Sequence, residues 1–251
     1  MQENRKIIAT LLGLFISLSA QAGSLTIAAA SDLKFAMSDI RQLFLQQFPG
    51  NRLNMVYGSS GKFAQQIENG APYDLYFSAS IKYPQRLVKK GLAATQPKLY
   101  AMGKIVLWSR EVDASKVSLK ALATPQFRRI AIANPKHAPY GLRAKQALQA
   151  VGVWQAVKPK LVMGENIAQT AQMIEMGGAK IGIIALSLAL SPQLSRQGHY
   201  GLIPQNLYQP LKQAYIVTQH GKNNPLAFQF AQFMQTEKVK RVMKKYGFEV
   251  Q

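Results

Sequence analysis

The feature that most restricts this chain is a repeated order: a short apolar run, a turn of small or polar residues, then a segment whose apolar residues return at helical spacing. The run at 25–30 ends at Ser31-Asp32, after which Phe35, Ile40, Leu43, Phe44 and Phe48 recur as one face of a helix. Pro49-Gly50 closes that helix, 53–57 reads as a second strand, and Gly58-Ser59-Ser60-Gly61 leads into an amphipathic segment at 63–69 stopped by Gly70. A third run at 74–79 and a helix at 83–90 continue the alternation. Antiparallel hairpins need no helix between strands, whereas parallel strands do, so the pattern predicts an α/β fold with a mainly parallel sheet covered by helices.

A second series follows. Strands are expected at 105–108, 130–133 and 161–163, with the turns 134–141 and 164–166 feeding helices at 142–151 and 167–176. A buried run at 181–186, a strand at 214–218 and a last helix at 225–246 complete the chain. Two series predict two α/β lobes, each a mixed, mainly parallel sheet flanked by helices. The expected division is 23–102 with 213–251 for lobe 1 and 103–212 for lobe 2, joined by hinge strands near 101–104 and 211–215. No repeat period or low-complexity tract is present.

Residues 1–22 stand apart. Arg5 and Lys6 precede the apolar run 7–18, and Ala20-Gln21-Ala22 supplies the small-x-small pattern of a signal-peptidase site. The run is too short to span a bilayer, so a removed signal peptide and a soluble periplasmic protein are expected. The absence of cysteine excludes disulfides, thiolate metal sites and a lipid-anchor cysteine. A net charge of +20 invites a nucleic-acid or anionic-membrane reading, but an exported protein meets no nucleic acid as its regular partner. With 48% hydrophobic and 17% charged residues, the composition is that of a folded protein.

Four turns place small or polar residues before a predicted helix: Ala30-Ser31-Asp32, Ser59-Ser60-Gly61, Pro139-Tyr140-Gly141 and Glu165-Asn166-Ile167. A helix start presents amides without intrahelical partners and a partial positive charge. Two such turns from each lobe would line a cleft able to hold an anion through neutral dipoles; taken singly, Ser31, Ser60 and Asn166 need do no more than cap their own helices.

Enzyme readings are weaker. Ser59 to Lys62 matches the S-x-x-K start of a serine acyl-transferase, but the chain has neither K-T-G nor S-x-N, and Gly58 to Gly61 is one residue short of a nucleophile elbow. His137, His199 and His220 show no metal-ligand spacing and are expected on loops or the surface, and Asp39, Asp74 and Asp113 form no carboxylate pair. The basic stretch 238–245 has Val239, Val242, Met243 and Tyr246 on one face, which predicts a packed helix with a solvated cationic side.

These motifs together resemble a family. Ala28-Ala29-Ala30-Ser31, Gly58-Ser59-Ser60, the segments 66–74, 134–141, 164–169 and 182–187, and Lys245-Tyr246-Gly247-Phe248 are similar to the periplasmic molybdate-binding proteins of molybdate ABC transporters, over essentially the whole chain after residue 22. The resemblance implies a type 2 periplasmic-binding fold that closes on a tetrahedral oxyanion and delivers it to a membrane permease, without chemistry, cofactor or direct protein–molybdenum ligands. It places the oxyanion contacts on Ser31 and Ser60, through hydroxyl and amide, and on Tyr140 and Ile167, through amides. Some members carry a tyrosine where this chain has Ala185, so the Tyr140 phenol is expected to replace that donor. Asp32, whose carboxylate would repel a dianion, is expected to face its helix N-terminus or a cation. The reading is thus a monomeric, non-enzymatic solute-binding protein for molybdate and tungstate. Its rivals are a binder of sulfate or another oxyanion, and a secreted acyl-transferase using Ser59 and Lys62.

Overall fold

The computed structural model describes residues 23–250; the expected signal peptide lies outside the described residues. The elements run β1 (Ser24–Ala30), α1 (Lys34–Gln47), β2 (Arg52–Gly58), α2 (Ser60–Glu68), β3 (Leu75–Ser78), α3 (Lys82–Lys89), β4 (Lys98–Gly103) and β5 (Ile105–Ser109). Then come β6 (Ile130–Ala133), α4 (Pro139–Ala150), α5 (Trp154–Val157), β7 (Leu161–Gly164), α6 (Ile167–Glu175), β8 (Ile181–Ala185) and α7 (Leu186–Ala189). The chain ends with β9 (His199–Leu202), β10 (Leu211–Val217), α8 (Pro225–Phe233) and α9 (Glu237–Lys245).

Two five-stranded sheets form, in the orders β2-β1-β3-β10-β4 and β7-β6-β8-β5-β9. In the first, β1 is parallel to β2 and β3, while β10 is antiparallel to β3 and β4. In the second, β6 is parallel to β7 and β8, while β5 is antiparallel to β8 and β9. Each sheet therefore has four strands pointing one way and a single reversed strand, and the two lobes share one topology. The reversed strands β5 and β10 each begin just after the chain has passed between sheets. At that passage β4 and β10 pair with Leu211 opposite Gly103 and Gln213 opposite Ala101.

Burial follows from the helical faces. Ile40 and Phe44 of α1, Phe230 and Phe233 of α8, and Val239 and Met243 of α9 cover one face of the first sheet. The Phe44 ring lies 5.0 Å from Phe230 and 5.3 Å from Phe233. Phe63 and Ile67 of α2 and Leu87 of α3 cover the other face. Ala30 and Ala79, at the ends of first-sheet segments, belong to the core of the second lobe, so the two interiors meet at the cleft.

The expected last helix is two helices. The break at Met234-Gln235-Thr236 contains neither Gly nor Pro; Thr236 ends α8 by donating its hydroxyl to the Phe233 carbonyl at 2.8 Å and caps α9, accepting from the Val239 amide. On α9 the basic side is solvated and ion-paired, Lys240 with Glu237 at 2.9 Å and Lys245 with Asp39 at 2.9 Å. Helix α4 starts three residues earlier than expected because Pro139, which the sequence places in a turn, occupies its first position, where a missing N–H costs nothing. Among the described residues no helix is long and apolar enough to cross a membrane.

Candidate functional site

The four turns converge. β1 ends at Ala30 and turns through Ser31 to Leu33 into α1; Ser59, in extended conformation, precedes α2, so that Ser60 is its first residue. From the other lobe, Ala138 precedes α4, with Tyr140 second, and Asn166 precedes α6, with Ile167 first. Ser31, Ser60, Tyr140 and Ile167 all line one small cavity together with Asp32, Ser59, Ala79 and Ala138. The amides of Ser60, Tyr140 and Ile167 sit in first turns, where no carbonyl of their own helix can accept from them.

Glycines bring these helix starts close. A Cβ on Gly61 would lie 2.6 Å from the His137 carbonyl oxygen across the cleft, and one on Gly141 would lie 2.0 Å from the Ala133 oxygen behind α4. Either methyl would displace a helix start from its present position.

The two serines differ. Ser60 is 1% exposed, and its Oγ accepts the Ala79 amide at 3.0 Å. That bond leaves the hydroxyl proton for another acceptor and fixes the lone pairs that are used. Ser31 is bonded across the lobes: its Oγ donates to Asn166 Oδ1 at 3.0 Å and accepts the Ala168 amide at 3.2 Å. Asn166 Oδ1 also accepts the Gln169 amide at 3.0 Å, so this residue caps α6 and meets Ser31 with one atom. Gly61 donates its amide to the His137 carbonyl at 2.9 Å, and Ser187 Oγ donates to the Asp32 carbonyl at 2.7 Å, adding to the bonds that hold the lobes together.

Two expectations about side chains are corrected here. The Tyr140 phenol is not a spare donor: it donates to Asp32 Oδ2 at 2.9 Å and accepts Gln213 Nε2 at 2.9 Å, so its one proton is committed. Burial and the neighbouring Asp32 carboxylate hold its pKa well above the ordinary tyrosine value. Asp32 sits in the first turn of its helix, but no cation pairs with it among the described residues. Its Oδ2 accepts from Tyr140 and from Gln213 Nε2 at 2.8 Å, two neutral donors, one from the opposite lobe and one from β10. Burial raises its carboxyl from 3.8 to about 6, against the lowering effect of the Gln213 and Tyr140 bonds.

His137 is the residue the sequence undervalued. It is no free loop histidine: its Nδ1 lies 2.9 Å from Ser59 Oγ, and its Nε2 lies 3.8 Å from Glu165, which pairs with Lys62. Burial lowers the His137 pKa. The signal was its place in a turn before a helix, the same signal that singled out Tyr140. The Ser59 hydroxyl also lies 2.7 Å from the His137 carbonyl, an acceptor that takes its proton. Lys62 spends its ammonium on Glu165, and no hydrogen bond joins Ser59 to Lys62 among the described residues. The contact between Ser59 and Lys62 that an S-x-x-K nucleophile needs is therefore not made among the described residues. Among the described residues no three His, Asp or Glu side chains gather as a metal site.

The family model for bacterial extracellular solute-binding proteins matches residues 25–249. The chain belongs to that family. As a solute-binding protein it is similar to the molybdate-binding protein ModA of Azotobacter vinelandii, 35% identical over 252 residues, covering 99% of this chain and 98% of that one. ModA of Rhodobacter capsulatus is 33% identical over 243 residues, covering 96% and 93% of the two chains. The solved structure of the Azotobacter vinelandii periplasmic molybdate-binding protein superposes with a TM-score of 0.84 at 30% identity, over 90% of this chain and 99% of that one. The two-lobed architecture with its cleft is thus that of a solute-binding protein.

Proposed function

We propose that this solute-binding protein captures molybdate, and tungstate as its close analogue, between its lobes and passes it to the membrane permease of an ABC transporter. The observation that carries the reading is the convergence of Ser31, Ser60, Tyr140 and Ile167 on one small cavity at helix starts. Ser60 brings a hydroxyl with its proton available, and Ser60, Tyr140 and Ile167 bring first-turn amides. Oriented neutral donors stabilise a dianion without a buried cation and without reorganisation on binding. The molybdate-binding relatives support the choice of oxyanion.

The lobes are 23–102 with 213–251, and 103–212. The protein works as a monomer in the periplasm after loss of residues 1–22, and it performs no chemistry on its ligand; the spent Ser59 proton and the Lys62–Glu165 pair support that last point. Native mass spectrometry of protein purified from molybdate-supplemented cells tests the reading. A mass increment of one molybdate per chain is expected; an increment of sulfate, or a covalent adduct with an acyl-transfer probe on Ser59, would refute it.

A further inference from the structure

Asp32 is the most unusual group in the cleft. It is 1% exposed, it follows Ser31 directly, and it lines the oxyanion cavity. Its Oδ2 is fully engaged by Tyr140 and Gln213, but its Oδ1 is buried without any hydrogen-bond partner. A buried carboxylate oxygen with no donor is costly, and a second, doubly negative group placed beside it makes the ionised form worse.

The surroundings offer no relief by charge. Helix α4 presents the Tyr140 phenol, β4 presents the Tyr100 phenol, which bonds to Gln213 Oε1 at 2.6 Å, and β10 presents the neutral Gln213 amide. Helix α7 contributes only the Ser187 hydroxyl on the Asp32 carbonyl. Both phenols keep their protons, and among the described residues no lysine, arginine or histidine pairs with this carboxylate.

We propose that Asp32 is the proton-carrying residue of the cleft: it takes up one proton from solvent as the oxyanion dianion enters, so that anion and proton are captured together. The inference rests on the molybdate reading above. The proton is bound on Oδ1, the oxygen without a partner, and no other bond forms or breaks. Protonation removes the repulsion and turns Oδ1 from an acceptor into a donor, in a site whose ligand only accepts. Because Oδ2 stays tied to Tyr140 of one lobe and Gln213 of the connecting strand, the carboxyl keeps its position through the change. Asp32 thereby sets specificity: the cleft favours fully ionised oxyanions at mildly acidic pH and gives up affinity as the pH rises.

Burial pushes the Asp32 carboxyl up to about 6, so the effect falls in an accessible range. Above that value each molybdate bound must be accompanied by one proton drawn from solvent, and affinity should weaken by about tenfold per pH unit. The test is calorimetric titration with sodium molybdate from pH 6 to 8, for the wild-type chain and for Asp32→Asn, in buffers of contrasting ionisation enthalpy. Uptake of close to one proton per molybdate at pH 7.5 by the wild type, with the pH slope, is expected. Asp32→Asn should show no uptake and no slope, and should bind molybdate more tightly than the wild type at pH 8. A wild type that binds with no proton uptake and no slope overturns the inference while leaving the molybdate reading intact. So does competition by hydrogenphosphate against the wild type but not against Asp32→Asn, since the carboxylate would then be accepting from a protonated anion. Absence of molybdate binding by either chain at pH 6 refutes the molybdate reading itself, and the inference with it.

Discussion

Replacing Ser60 with alanine removes one oxygen that serves two partners. Among the described residues its Oγ accepts the Ala79 amide and, unlike the Ser31 and Ser59 hydroxyls, donates no hydrogen bond, so its proton is free to turn toward the oxyanion. A hydrogen bond to a charged acceptor contributes about 1.5–3 kcal/mol, which corresponds to a loss of roughly 10- to 150-fold in affinity. The same oxygen accepts the amide of Ala79, a residue only 1% exposed. Ser60→Ala therefore also leaves a buried N–H without a partner, at about 1–3 kcal/mol of stability. For a chain of this size each kcal/mol lowers the melting temperature by about 2–4 °C. Calorimetric titration with molybdate and thermal unfolding of the ligand-free protein should both register the change. A variant that melts several degrees early yet binds molybdate with unchanged affinity would refute the donor role and leave Ser60 a structural residue only.

The buried carboxyl makes stability depend on pH. Asp32 holds its proton more tightly in the folded chain, about 6 against 3.8, so its contribution is full below about pH 4 and is lost as pH rises to about 6. The loss is up to about 3 kcal/mol and stays constant above that range. Asp32→Asn should accordingly be the more stable protein at pH 7–8 and match the wild type near pH 4 in denaturant titrations; equal stability at both ends would mean that the carboxylate is not desolvated. Tyr140→Phe removes a donor from Asp32 rather than from the oxyanion, so it should shift the midpoint of the pH-dependent affinity upward and leave binding at pH 6 nearly unchanged. A large loss at pH 6 would show the phenol to be a direct ligand contact.

The positions of the four helix starts were legible because each is announced locally, by small or polar residues before an apolar period of helical spacing. Ser31, Ser60, Tyr140 and Ile167 could be named from that signal together with the family resemblance. What joins them could not be read so easily. The Asp32 contacts reach Tyr140 and Gln213, 108 and 181 residues away, and no local pattern encodes which donor a buried carboxylate finds. The same limit explains His137, whose Ser59 partner is 78 residues upstream. Element boundaries failed for a different reason. Pro139 resembles a turn residue until its place at the head of α4 is known, and the apolar spacing of 225–246 runs on through a break that only Thr236, a capping residue followed by Glu237, marks. The reversed strands β5 and β10 carry the same apolar composition as their parallel neighbours, so direction is set by the path between lobes and not by the strand itself.

The central claim is that fixed neutral donors, and not the +20 field of the whole chain, select the ligand. On this account a cleft of set radius should separate the larger molybdate and tungstate from sulfate of equal charge, because the smaller anion would not reach all the donors together. A diffuse basic surface ranks anions by charge and weakens as salt screens it over about 10 Å. The most direct test is a molybdate titration at pH 6 repeated in excess sulfate and then in added chloride. Affinity that is nearly unchanged in both is the predicted result; competition by sulfate on equal terms, or loss of binding in ordinary salt, would contradict the account.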